Sequence, residues 1–92
     1  MKMMENKIKT MNSKLDDFQK KIEDVPERLN KKFKSKVNLL KNKQEKLEER
    51  MDLLKKTTGA AYQDMQIGVE MAWHDLSMAY DSTKERFEKV AS

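Results

Sequence analysis

The 92-residue sequence contains no cysteine, one proline, two glycines and one histidine. Without cysteine there is no disulfide to staple a small fold and no thiolate to hold a metal. The scarcity of proline and glycine removes the residues on which turn-rich and sheet-rich folds depend. Long apolar runs are missing too: stretches free of charge, such as residues 66–69, are far too short to cross a bilayer. At the N-terminus, Met1-Lys2-Met3-Met4-Glu5-Asn6-Lys7 carries a charge or an amide every few positions and no apolar segment follows it. No signal peptide is expected, and with no thiol chemistry pointing to an oxidising compartment the expected location is cytoplasmic.

What the chain has in abundance is charge. Charged residues make up 39% and hydrophobic residues 37%, the balance of long amphipathic helices. A chain this short buries only a modest core by itself, so burial against other copies, a homo-oligomer, is the expected supplement.

Apolar residues recur in three-four spacing at Ile8, Met11, Leu15, Phe18, Ile22, Val25 and Leu29. This heptad seam is what helices packed side by side need. It continues through Phe33, Val37, Leu40, Gln44, Leu47, Met51 and Leu54, with an extra step of four at Leu29, Phe33 and Val37 that locally unwinds a supercoil. From Thr58 the spacing becomes three, four, four, through Ala61, Met65, Val69, Ala72, Leu76, Tyr80, Thr83 and Phe87. That eleven-residue period predicts a nearly straight helix.

Two interruptions are written into the pattern. Asp24-Val25-Pro26-Glu27 predicts a helix start, with Asp24 as N-cap, Pro26 in the first turn and Glu27 completing a capping box. Thr57-Thr58-Gly59 follows Lys55 and Lys56, cations suited to a helix C-terminus. There the seam stays in phase and one glycine costs a helix only about 1 kcal/mol, so a turn and a continuous helix both remain open. With both breaks the helical segments are 3–23, 26–56 and 59–91, and the matched lengths of the last two invite an antiparallel hairpin. Charge agrees: residues 1–56 hold 17 Lys/Arg against 10 Asp/Glu, whereas residues 57–92 hold 3 against 6.

On a helical wheel, residues 60–80 present a broad apolar face of Ala61, Tyr62, Met65, Val69, Ala72, Trp73, Leu76, Ala79 and Tyr80, with Gly68 permitting close backbone approach. The side chains expected to carry assembly are Met65, Val69, Ala72, Trp73, Leu76 and Tyr80. A second, narrow stripe of Ala60, Ile67, Met71 and Met78 lies opposite, flanked by Asp64 and Asp75 on one side and Gln63, Glu70 and His74 on the other. A two-helix contact needs only one stripe, so the second predicts burial in a bundle of three or more helices, within or between chains. Its rival is an exposed, methionine-lined docking strip, since flexible methionines suit adaptable surfaces.

The stretch Thr58–Leu76 resembles a family of small bacterial stress-response coiled-coil proteins, through Gly59, Ala61, Tyr62, Asp64, Met65, Gly68, Val69, Ala72, Trp73, Asp75 and Leu76. The likeness covers about a third of the chain; upstream, only the charged helical texture is shared. It implies a soluble, non-enzymatic helical protein associated with stress adaptation.

Catalytic and cofactor chemistry have no candidate residues. His74 with Glu70 and Asp75 falls short of a zinc set, and Asp64 and Asp75 stand about 16 Å apart along the helix, too far to act as a pair. The run Arg28, Lys31, Lys32, Lys34, Lys36, Lys41 and Lys43 contains no intervening acid and could meet nucleic-acid phosphates. It points around the helix, however, and Phe33 is its sole aromatic. The eleven-residue period also occurs in membrane-surface helices, but the segment that carries it here is acidic. The expected fold is all-α: an elongated antiparallel helical hairpin or coiled-coil bundle completed by homo-oligomerisation. The expected function is structural or interactive, with a protein partner, and with peripheral membrane binding or nonspecific nucleic-acid binding as alternatives.

Overall fold

The computed structural model describes residues 2–91 as three helices, α1 (Lys2–Glu23), α2 (Glu27–Lys56) and α3 (Ala60–Ala91), with no strand among the described residues. They form an up-down-up bundle measuring 51 × 19 × 16 Å. Its long dimension is that of the two longer helices, since 30 residues rise about 45 Å.

The first connection is tight. The N–H groups of Asp24 and Val25 donate to the carbonyls of Lys21 and Ile22 at 3.2 and 3.3 Å, narrowing the last turn of α1. Pro26 then stands at the N-cap of α2 (φ −54°, ψ 149°), and its carbonyl accepts the N–H groups of Leu29 and Asn30 at 3.0 Å each. The expected Asp24 cap and Glu27 capping box do not form, because Pro26 lies just outside the helix and leaves Asp24 two residues too early. No side chain caps this helix. The break is instead spanned by Asn30, whose Nδ2 donates to the carbonyl of Ile22 at 3.1 Å.

The second connection, open on sequence grounds, is a turn. Thr57 leaves the helix in an extended conformation (φ −98°, ψ 144°), with its N–H on the Leu54 carbonyl at 3.1 Å and its Oγ1 donating to the Leu53 carbonyl at 2.7 Å. Gly59 then adopts φ +74°, the left-handed conformation that disfavours any side chain. Its carbonyl receives the N–H of Tyr62 at 3.1 Å and starts α3. Thr58, the first position of the eleven-residue period, sits exposed in this turn, so the periodic helix begins after it.

Ion pairs fix the relative directions. Glu5–Lys55 at 2.9 Å and Asp16–Lys41 at 3.8 Å join α1 to α2 in antiparallel register, and Lys43–Asp75 at 3.0 Å does the same for α2 and α3. Helices α1 and α3 therefore run the same way, with Lys7 over the ring of Trp73 at 5.0 Å and Lys14 over Tyr80 at 6.0 Å. The matched-arm hairpin of α2 and α3 exists, but α1 fills its groove and makes it a three-helix bundle.

The core follows the seam. Ile8, Met11, Leu15, Phe18 and Ile22 from α1 meet Phe33, Val37, Leu40, Leu47, Met51 and Leu54 from α2 and Val69, Leu76, Tyr80 and Phe87 from α3, all buried. At one end the rings of Phe18, Phe33, Tyr80 and Phe87 pack edge-to-face, with centroids 5.2 to 6.0 Å apart, a geometry worth about 0.5–1.5 kcal/mol per pair beyond burial. One polar side chain interrupts the seam. Gln44 is 2% exposed, and its Nε2 donates to the carbonyl of Ile8 at 2.8 Å and to Glu48 at 3.2 Å, while its Oε1 has no hydrogen-bond partner.

Two substitutions separate apolar burial from this polar defect. Leu76→Asp buries an unpaired charge at a side chain 1% exposed, and should lower stability by about 3–5 kcal/mol, read as loss of helicity by circular dichroism. Gln44→Leu removes the orphaned oxygen and should stabilise by about 1 kcal/mol, raising the melting temperature by roughly 4–8 °C. A drop in melting temperature for Gln44→Leu would contradict the packing described.

Candidate interaction surface

Helix α3 has more apolar surface than one core can use. Its broad face turns inward: Val69, Leu76 and Tyr80 are buried, and Tyr62, Met65, Ala72, Trp73 and Ala79 are half-buried against the core. The side chains expected to carry assembly therefore pack within the chain, in or against the core it forms with α1 and α2. Ala61, also on that face by its wheel position, is exposed near the start of α3. Trp73 keeps its Nε1 buried without a partner, with the Lys7 ammonium over its ring. Burial raises the pKa of Tyr80, and Asp81, Asp17 and Glu88 push it the same way by their charge.

The second stripe turns outward. Ile67, Met71 and Met78 are 55%, 68% and 60% exposed, and Ala60 is exposed as well. The expected burial of this stripe does not occur within the chain. Inward and outward stripes lie on opposite sides of one helix, and α1 and α2 both pack on the inward side. A shallow depression lined by Ile67, Glu70, Met71, His74, Asp75 and Met78 runs along it. Gly68, expected to let another helix approach closely, is half-buried, and a Cβ placed there would meet nothing within 4 Å. No close approach uses it inside the bundle.

Helix α2 adds two exposed leucines that the seam did not mark, Leu39 at 62% and Leu53 at 55%. Each precedes a buried leucine, Leu40 and Leu54, so each reads on the sequence as the spare member of a pair. At 100° per residue they fall within one turn's arc of Lys46 and Arg50, pointing out of the face that α2 and α3 share. A wheel drawn for α2 alone would have found them. Among the described residues, the other large exposed apolar side chains are Met3 and Val90, near the ends of the helical chain.

The basic run is spread over several tasks. Lys31 pairs with Glu27 at 3.5 Å, Lys41 with Asp16 and with the Oε1 of Gln19, and Lys43 with Asp75. Lys32 and Lys36 stand 6.0 Å from the ring centre of Phe33, and Arg28 and Lys34 are exposed. The run brackets α2 from both neighbours instead of forming one ridge. His74 is exposed beside the second stripe, and among the described residues no group of three His, Cys, Asp or Glu is placed to hold a metal ion. No helix of the described residues is long and apolar enough to cross a membrane. At the other end of the bundle a cleft of about 220 Å³ is lined by Glu5, Ile8, Lys9, Glu48, Met51, Asp52 and Lys55. Three acids and two lysines there leave one net negative charge.

No protein-family model, curated protein or solved structure matches the chain.

The Glu5–Lys55 pair ties the start of α1 to the end of α2. The Lys55 hydrogen bond holds the Glu5 carboxyl below the usual carboxylate range, and Glu5 in turn raises Lys55. Because the folded-state pKa of Glu5 is depressed, its contribution is present above the ordinary carboxylate range and is lost as pH falls through the lowered value. Wild type should melt slightly above Glu5→Gln at neutral pH, and the two should converge in acid. A gap that persists below both carboxylate pKa values would assign the effect to something other than this ion pair.

Proposed function

We propose that the chain is a non-enzymatic interaction protein, a helical scaffold that presents the joint outer face of α2 and α3 to another protein surface. The observation that carries this reading is the exposure of Leu39 and Leu53 on α2 and of Ile67, Met71 and Met78 along one shallow depression of α3, outside a core that is already closed. Scattered exposed apolar residues are ordinary; a cluster rimmed by charge is the signature of a contact surface. Two of the five, Met71 and Met78, are flexible methionines, which suit a surface that adapts to its partner.

On the α3 half of this face, charge favours protein over lipid or nucleic acid. Asp64, Glu70 and Asp75 border the α3 stripe, and residues 57–83 contain no lysine or arginine. Anionic headgroups and phosphates would be repelled along that border. A role in stress physiology, as the likeness at residues 58–76 implies, is compatible with a small scaffold of this kind and belongs to the same proposal, as does a cytoplasmic location.

A photoreactive amino acid at Met71, in the living host, should give a discrete protein adduct on illumination. The same group at Ser13, which points away from the core on α1, should not. Equal labelling at both sites, or none at Met71, would contradict docking through this face.

A further inference from the structure

We infer that the occupant of the α2/α3 face is a second copy of the chain, set by a two-fold axis parallel to the helices so that α2 of each copy lies antiparallel on α3 of the other. This rests on the docking reading above and adds the identity of the partner and its orientation.

The two halves of the face are complementary in charge while both are apolar. On α2 the outward arc holds Leu39, Lys46, Arg50 and Leu53, all exposed, with no acid among them. On α3 the facing arc holds Asp64, Met71, Asp75 and Met78, all exposed, in a segment without a single cation. A surface that carries both members of a matched pair side by side is self-complementary, which is what an isologous dimer requires.

Two in-plane axes could bring two such faces together. An axis perpendicular to the helices would set α2 on α2 and α3 on α3, placing Lys46 and Arg50 against their own copies and Asp64 and Asp75 against theirs. Like charges opposed across an interface are costly, and this selects against that arrangement. An axis parallel to the helices crosses the pairs and places base against acid.

That axis also preserves height along the bundle, so the intrachain register carries over. Counting from the Lys43–Asp75 pair, Leu39 stands level with Ala79, Arg50 with Gly68 and Leu53 with Met65. Leu39 therefore meets the partner's Met78 turn, and Arg50 comes down on the notch at the partner's Gly68, where a Cβ would touch nothing within 4 Å. Every neighbouring helix pair in the resulting four-helix layer is antiparallel. Residues 60–78 rise about 27 Å, and across the 19 Å width this gives about 510 Å² per copy. The total of about 1,000 Å² matches the roughly 1,000 Å² that a specific interface needs.

Light scattering on the full chain at high micromolar concentration should return twice the 10.9 kDa of one copy. Met71→Glu and Leu39→Glu should each halve that mass while leaving the melting curve of a diluted sample unchanged, because both side chains are exposed. Since the chain has no cysteine, a co-refolded mixture of Leu39→Cys and Met78→Cys chains should oxidise to the mixed disulfide dimer, with little homodimer of Leu39→Cys. Predominant Leu39→Cys homodimer, or a dimer indifferent to Met71→Glu, would overturn the arrangement. A wild-type mass of one copy at that concentration would overturn self-docking. If Met71 then still photolabels a protein of different mass, docking stands and only the second copy falls; if it labels nothing, both fall.

Discussion

One line of buried side chains on α2 has to serve two neighbours, and the bundle depends on it. Phe33, Val37, Leu40, Gln44, Leu47, Met51 and Leu54 are all buried over a 30-residue helix. The helices on either side each bring one apolar stripe to it. A single helix of this length gains little stability alone in water, because propagation barely exceeds the cost of nucleation. Packing α1 and α3 on opposite flanks of the α2 seam is what makes all three helices stable together. The flanking cations of α2 then divide between the two neighbours, Lys41 and Lys55 to α1 and Lys43 to α3. Exposed pairs of this sort contribute little energy each, and their effect is to fix direction and register.

The same constraint explains the surface. Once α1 and α2 occupy the inward side of α3, nothing in the chain remains to cover Ile67, Met71 and Met78. Exposure of this stripe is a consequence of having three helices and two faces on the last of them. Leu39 and Leu53 extend the exposed region onto α2 because they sit beside seam positions, where a leucine can be buried or bared by a rotation of one residue. The function proposed for this face follows from surplus apolar surface and its charge border, with no pocket or titratable cluster involved.

Much of the fold was legible in the sequence. Helix content followed from the three-four spacing, since that pattern fits only a helical period. The break near Pro26 was marked by the proline itself, although the cap was not: hydrogen bonding at the start of α2 depends on whether Pro26 lies inside or just outside the first turn, and its φ suits both. The turn at Gly59 needed the backbone, because a glycine tolerates a helix as well as the left-handed conformation it adopts here. The second stripe was visible on a wheel, but its fate was not. Whether Met71 is covered depends on how many helices pack on α3 and from which side, a tertiary fact absent from any local pattern. Leu39 and Leu53 were missed because a heptad seam assigns one leucine of each pair and says nothing of the other.

The central claim is that the broad face of α3 is closed by α1 and α2 of the same chain. Isotope-filtered nuclear Overhauser spectroscopy on a mixture of labelled and unlabelled protein tests it most directly, through the rings of Phe18, Tyr80 and Phe87. The account predicts strong ring–ring contacts within single chains and none between labelled and unlabelled copies. Contacts appearing only between copies would mean that α1 is exchanged between chains, and would contradict it.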